Sequence, residues 1–207
     1  MRLLGLLLLG LFSLISAPRG AHAAADGAGI TRVRSVNDAV VALLRQSPAA
    51  GSPEEKQVSA KISQTVGGFL DIEALGRSAL VDHWAKLSPA QRKEFSKLLS
   101  ELVEGSYVRA LRSNLDYEVK YISEEPKGAE RLVQTEVRAE RKGRPQVIAV
   151  DYLLRQSSGS LRAVDVVTDG VGIVENYRAQ FNKIIAQEGF PGLLARMRKK
   201  AAAGEAS

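Results

Sequence analysis

The chain has no cysteine, and its 207 residues include only two histidines, two methionines and one tryptophan. Without cysteine there is no disulfide, no thiolate nucleophile and no sulfur-based metal site. One of the two histidines, His22, falls in a segment expected to be removed, which leaves His83. A single histidine argues against a His-dependent catalytic triad or a multi-histidine metal centre. Aromatic residues amount to 5%, so the interior must be built from Leu, Val and Ile. Excess charge is also scarce. With 29 basic and 23 acidic residues the formal charge is +6, too weak a bias to make nucleic acid the first expectation.

The N-terminus reads as a secretory signal. Arg2 supplies a positive start, Leu3–Ile15 is a compact apolar stretch too short to span a bilayer comfortably, and Ala21-His22-Ala23 is a small-x-small cleavage pattern. Cleavage after Ala23 would leave 184 residues and, with Arg2 and Arg19 gone, a charge of +4. That length suffices for one domain with a sizeable core. No cysteine follows the cleavage pattern, so a lipid-anchored product is excluded. The expected organisation is a signal peptide over 1–23, a single domain over 24–200 and a disordered tail over 201–207. The expected location is the periplasm.

Within the domain the pattern predicts a helical part over about 35–113, a sheet over about 115–168 and C-terminal helices over about 174–200. Ala24–Arg34 reads as loose, and Ser35 as the N-cap of a helix with Val36, Ala39, Val40, Leu43 and Leu44 on one stripe. Ser52-Pro53-Glu54-Glu55 is a capping box with proline at the first helical position. Asp71 caps a short helix through Leu75 and Leu80. Ser88-Pro89-Ala90-Gln91 opens the longest helix, lined by Phe95, Leu98, Leu99, Leu102, Val103 and Tyr107.

Near Asn114 the period switches to two. Leu115, Tyr117, Val119 and Tyr121 alternate with charged residues, as do Val133, Thr135 and Val137. Val147–Leu154 and Leu161–Val167 are apolar on both faces, as expected of strands buried on two sides. Turns at Glu125-Pro126-Lys127-Gly128, Lys142-Gly143 and Ser157–Ser160 imply antiparallel neighbours. The run Val164–Phe181 passes from a valine-rich strand through Asp169-Gly170 into an amphipathic helix with Tyr177, Phe181, Ile184 and Ile185 at helical spacing. Gly189 should end that helix and Pro191 begin a last basic one. The fold class is therefore α+β: a four-stranded antiparallel meander, NTF2-like, wrapped by helices from both ends of the chain. Its aliphatic interior fits either a solid core or a greasy cavity.

Three motifs resemble the MlaC (toluene-tolerance) family of periplasmic phospholipid-binding, ABC-transporter auxiliary proteins. Phe69-Leu70-Asp71-Ile72-Glu73, His83-Trp84 and Ser88–Phe95 resemble its helical half. Val150-Asp151-Tyr152 and Val164-Asp165-Val166-Val167 resemble its strands. Gly170-Val171 with Asn176-Tyr177-Arg178-Ala179-Gln180-Phe181 resembles its C-terminal signature. Val81, Leu161 and Gly172-Ile173 depart from the family's common glycine, tryptophan and Ser-Leu. The resemblance implies a non-enzymatic carrier that moves phospholipid between outer and inner membranes. It implies as partners an inner-membrane ABC transporter with an MCE-domain subunit and an outer-membrane lipoprotein–porin complex. No cofactor or metal is expected, and a monomer suits a shuttle. A hopanoid-like lipid is the alternative ligand. The physics is compatible, because releasing a long acyl chain into water costs on the order of 10 kcal/mol at about 0.8 kcal/mol per methylene.

Cavity candidates are the apolar positions on predicted inward faces: Leu75, Leu80, Phe95, Leu99, Val103, Tyr107, Val137, Tyr152, Val166, Val171, Ile173 and Phe181. Tyr107, Tyr152 and Tyr177 could place hydroxyls near a glycerol while their rings pack on tails. Arg77, Lys86, Arg92 and Lys93 could attract a phosphate or an anionic partner, and Arg196, Arg198, Lys199 and Lys200 a membrane surface; a solvated face is the plainer reading of both sets. A rival function is an NTF2-like enzyme using Asp151 and Asp165, with Tyr152 beside them. A three-residue Ser157–Gly159 loop would set the two carboxylates opposite each other, and a two-residue loop would move them out of register. A peptide-gripping chaperone is a third reading.

Overall fold

A computed structural model describes residues 26–46, 48, 52–112, 117–141 and 144–205, with the side chains of 107–112, 141, 204 and 205 set aside. The expected signal peptide, the turn at Lys142-Gly143, the change of period at Asn114 and the Tyr107 side chain lie outside what is described.

Five helices come first: α1 (Ala28–Leu44), α2 (Pro53–Phe69), α3 (Ile72–Ala79), α4 (Val81–Trp84) and α5 (Pro89–Arg112). Then come β1 (Tyr117–Lys127), β2 (Glu130–Arg141), β3 (Arg144–Ser157), β4 (Ser160–Thr168) and β5 (Val171–Gly172), and last α6 (Ile173–Glu205). The expected caps are in place. Ser52 Oγ accepts the Glu55 N–H at 3.1 Å with Pro53 at the first helical position, and Asp71 Oδ1 accepts the Ala74 N–H at 3.0 Å. Ser88 and Gln91 exchange two bonds, of 2.9 and 3.2 Å, at the start of α5.

Helix α1 starts seven residues before the expected cap, so Ala28–Arg34 is helical and Ser35 sits exposed within it. The reason is tertiary. Gly27 offers no side-chain cap; instead Glu124 of β1 accepts the Gly29 and Ile30 N–H groups at 2.9 and 3.1 Å. At the other end α6 continues to Glu205 rather than stopping near Lys200, and it breaks at Gly189, where φ is 70°.

The sheet is an antiparallel meander in the order β1-β2-β3-β4-β5, the fifth strand being a two-residue return beside β4. Ser158 (φ 49°) and Gly159 (φ 81°) form a two-residue hairpin turn. Register slips once in β1, between Tyr121 and Ser123, and once between β3 and β4 at Leu153/Leu154. The free edge of β4 is closed in its first half by Leu70-Asp71, whose Asp71 N–H donates to Ala163 O at 2.9 Å, and in its second half by β5. Arg162 donates to Gly67 O and Leu70 O at 2.8 and 2.6 Å, and Arg32 to Gly68 O and Leu161 O at 3.1 and 3.3 Å. These bonds fasten the end of α2 to the sheet.

The buried apolar residues form one core that runs from the helices to the sheet. Among the helices, Phe95 is fully buried, edge-on to Trp84 and Phe181 with centroids 6.2 and 5.5 Å away. Leu75, Leu80, Leu99, Leu193 and Met197 fill in around it. On the sheet, α1 lies across one face of β1 and β2, burying Val33, Val36, Asn37, Val40 and Leu44. The expectation that β3 is buried on both faces fails at its start, where Val147 is 58% exposed and Ala149 is exposed. The helices contact the sheet mainly along β4 and across the α1 side, so that stretch of the other face meets water.

Candidate functional site

Cross-strand pairing fixes which residues share the α1 side of the sheet. Tyr121, Thr135, Val150 and Thr168 form one row; Val119, Val137 and Ile148 form the next; Val133, Tyr152 and Val166 line up on the other side of the first. Val133, Tyr152 and Thr135 are buried, and Thr135 Oγ1 donates to Val150 O at 2.6 Å. The row Val119–Val137–Ile148 is only half-buried and stands outside the packed core. Apolar side chains on a sheet face that a helix covers incompletely are the natural floor for a greasy ligand.

Over the β1 edge of that floor, between it and α1, is a hollow of about 220 Å³. Its α1 wall is Arg34, Asn37, Asp38, Val41 and Arg45, residues repeating at helical spacing, and its β1 wall is Tyr117, Val119 and Tyr121. Asn37 is buried, donates to Tyr121 Oη over a long 3.5 Å and also hydrogen-bonds the Tyr152 phenol. Burial pushes the Tyr152 phenol well up, and the Asn37 bond offsets only part of this. Tyr121 is raised by the same cause against bonds and charge from Asn37 and Arg34, whose guanidinium lies 4.0 Å from the Tyr121 ring centroid. Burial, seconded by Tyr121 and Asp38, pushes Tyr117 up to about 12. Among the described residues, Tyr117 Oη is buried and has no hydrogen-bond partner. These phenols are therefore neutral.

Of the twelve sequence candidates, the Tyr107 side chain is not described, and the other eleven separate into groups. Leu75, Leu80, Phe95, Leu99 and Phe181 are buried in the hydrophobic core and are not among the residues that line this hollow. Val103 is buried on α5, and Tyr152 is buried against Phe69, with centroids 5.9 Å apart. Val137 and Val166 lie on the floor, half-buried, and Ile173 is half-buried at the start of α6. Val171 pairs with Thr168 on the floor side yet is 57% exposed, because β5 is too short to bring a cover with it. Residues not singled out include Asn37, Tyr117, Val119, Tyr121 and Ile148. The alternation of β1 already held the signal for three of them, and an amide inside the apolar stripe of α1 was the signal for Asn37.

The carboxylate pair does not assemble as an opposed couple. The turn has two residues, and the register slip at Leu153/Leu154 shifts the pairing by one more, so Asp151 pairs with Val167 and Asp165 with Leu153. Asp165 Oδ1 instead accepts the Val166 and Val174 N–H groups at 2.8 and 3.2 Å, holding the start of α6. Several basic candidates are also committed. Arg77 pairs with Glu73 at 2.6 Å, Arg196 with Glu188 and Arg198 with Glu94. Arg92 donates to Trp84 O and Ala85 O, each at 3.2 Å, and lies over the Trp84 ring. Lys86 and Lys93 are exposed. No group of His, Asp or Glu among the described residues is arranged to hold a metal ion.

Comparison with known proteins gives concordant matches. The family described as MlaC protein matches residues 34–199. The intermembrane phospholipid transport system binding protein MlaC of Haemophilus influenzae is 24% identical over 135 residues, which are 64% of this chain and 63% of that protein. The chain thus aligns with less than two thirds of that relative's length. The phospholipid-binding protein of Ralstonia solanacearum, solved in complex with a phospholipid, superposes with a TM-score of 0.68 at 22% identity, covering 87% of this chain and 99% of the other. At that identity the likeness establishes the fold.

Proposed function

The chain belongs to the MlaC family, and from that premise we propose that it is a periplasmic carrier of phospholipid. In this reading it is the soluble member of an ABC-type system that moves lipid between the outer and inner membranes. The observation that carries the reading is the half-covered row Val119–Val137–Ile148 on a sheet face roofed by α1. The chemistry asked of such a protein is modest. It must keep acyl chains from water, worth about 0.8 kcal/mol per methylene, and let the head remain wet. No bond is made or broken.

The hollow of about 220 Å³ is smaller than the roughly 300–1,000 Å³ of ordinary ligand sites. Loading therefore requires α1 to move away from the floor. Val137, Val166, Tyr152 and Val103 then contact the tails, with Val171 at the rim. Leu75, Leu80, Phe95, Leu99 and Phe181 serve as the rigid backing against which that movement occurs, and Ile173 anchors the start of α6. The protein docks in turn at an inner-membrane transporter bearing an MCE-domain subunit and at an outer-membrane lipoprotein–porin complex.

Denaturing mass spectrometry of protein purified without detergent tests the proposal. Diacyl phospholipid co-purifying near one per chain is the expected result. A sterol-like triterpenoid would move the ligand to the hopanoid class. A chain that carries no lipid, and takes none from vesicles, would overturn the carrier reading.

A further inference from the structure

We propose that the hollow between α1 and β1 is a binding site for a phosphodiester, the head end of the carried lipid, with Tyr117 as its buried hydrogen-bond donor. The inference rests on the carrier reading and deepens it by giving the polar part of the ligand a place and a chemistry.

The first argument is the hollow's composition. A tail needs apolar walls, but of the eight lining residues only Val41 and Val119 are apolar. The rest are two guanidinium side chains, a carboxylate, an amide and two phenols. Arg34 and Arg45 lie three turns apart on one helix face with Asp38 between them; Arg34 already pairs with Asp26 at 2.7 Å, and Arg45 lies close enough to Tyr117 to act on its charge. Such a wall suits a phosphate that takes charge-assisted bonds from arginine. Asp38 beside it leaves room for an ammonium group on the same head.

The second argument is Tyr117. A buried hydroxyl without a partner costs on the order of 1–3 kcal/mol, and folded proteins rarely leave one so. Its oxygen is out of reach of every described acceptor, and its proton is firmly held, as the pKa of about 12 indicates. The oxygen is shut off from the hollow while α1 is closed on the sheet, and the parting of α1 from the floor that loading requires would open it to a phosphodiester or ester oxygen. The third argument is continuity. Val119 belongs both to the hollow and to the apolar row running on to Val137 and Ile148. Head and tails of one amphiphile would therefore meet polar and apolar walls in the right order.

The test compares affinities for three probes: a short-chain diacyl phosphatidylethanolamine below its micelle concentration, a fatty acid with chains of equal length, and inorganic phosphate. Isothermal titration would be run on the wild type, Tyr117→Phe and Arg45→Gln. The Tyr117→Phe protein should bind the phospholipid about three- to tenfold more weakly, the range of one buried hydrogen bond. Its affinity for the fatty acid should not change. Equal affinity of both variants and the wild type for the phospholipid would overturn the head-site assignment while leaving the carrier reading standing. Inorganic phosphate bound as tightly as the phospholipid would also overturn it, by making the hollow a site for the free ion. A wild type that binds neither amphiphile would fail the carrier reading itself. Arg45→Gln keeps the proposal falsifiable should Tyr117→Phe unfold, since Arg45 is exposed at the end of α1.

Discussion

Replacing Glu124 with alanine should release the beginning of α1 from the sheet. The Glu124 side chain is 8% exposed, accepts the Gly29 and Ile30 N–H groups at 2.9 and 3.1 Å, and pairs with Arg131 at 2.8 Å. Losing the cap and leaving two partly buried donors without an acceptor costs about 2–3 kcal/mol, the half-exposed Arg131 adding little. In a domain of this size that lowers the melting temperature by about 4–12 °C. Thermal melts followed by circular dichroism would read the shift. Burial pushes the Glu124 carboxyl up, but the Ile30 and Gly29 N–H groups and Arg131 more than offset this and hold it below the ordinary glutamate value. A carboxyl lowered by folding stabilises above the unfolded-state value, and that contribution disappears as pH falls through the folded one. The gap between wild type and E124A should therefore be full at pH 7 and close at pH values under about 4.3. A Cβ on Gly27 would lie 2.0 Å from Glu124 Oε2, so Gly27→Ala must expel the same carboxylate. In an E124A background its cost should largely vanish. Strictly additive costs, or a gap that widens in acid, would refute the remote cap.

Two further outcomes follow from the bonds around the sheet. Arg162→Lys should lower stability by about 1–2 kcal/mol in urea denaturation, because a single ammonium cannot reproduce the guanidinium's bonds to Gly67 O and Leu70 O. Arg77→Lys, whose pairing with Glu73 is mostly in water, should stay within about 0.5 kcal/mol of wild type. Asp165→Asn should lower the melting temperature by about 1–4 °C by weakening the hold on α6, yet leave lipid transfer between vesicles at the wild-type rate. Loss of function without loss of stability would sink the structural reading of Asp165 and return it to chemistry.

Local chemistry made most elements legible. Ser52, Asp71 and Ser88 announce their helices by caps that need nothing beyond three neighbouring residues. The alternation of Tyr117, Val119 and Tyr121 gave β1 and its covered face. Features that depend on contacts distant in the chain were not legible. The start of α1 is set by a carboxylate nearly a hundred residues away, so Ser35 was the better local candidate and still the wrong one. The relation of Asp151 to Asp165 depends on loop length and on the register slip at Leu153/Leu154; sequence left the first open and held no sign of the second. Phe95 and Phe181 were recognised as buried apolar residues, but burial alone does not distinguish a wall from a filler. That distinction needs knowledge of what lies opposite, and here another aromatic ring does.

The two slips in strand register, at Tyr121/Ser123 and at Leu153/Leu154, carry a consequence for divergence. Irregularities of this kind bend and twist a sheet through its main chain. The curvature of the dish is thus written in backbone pairing and does not rely on the particular side chains that pave it. Paving can be exchanged for bulkier or slimmer hydrocarbon without flattening the vessel. A protein 22% identical to this one shares its fold, and backbone irregularities of this kind let side chains change without loss of that shape.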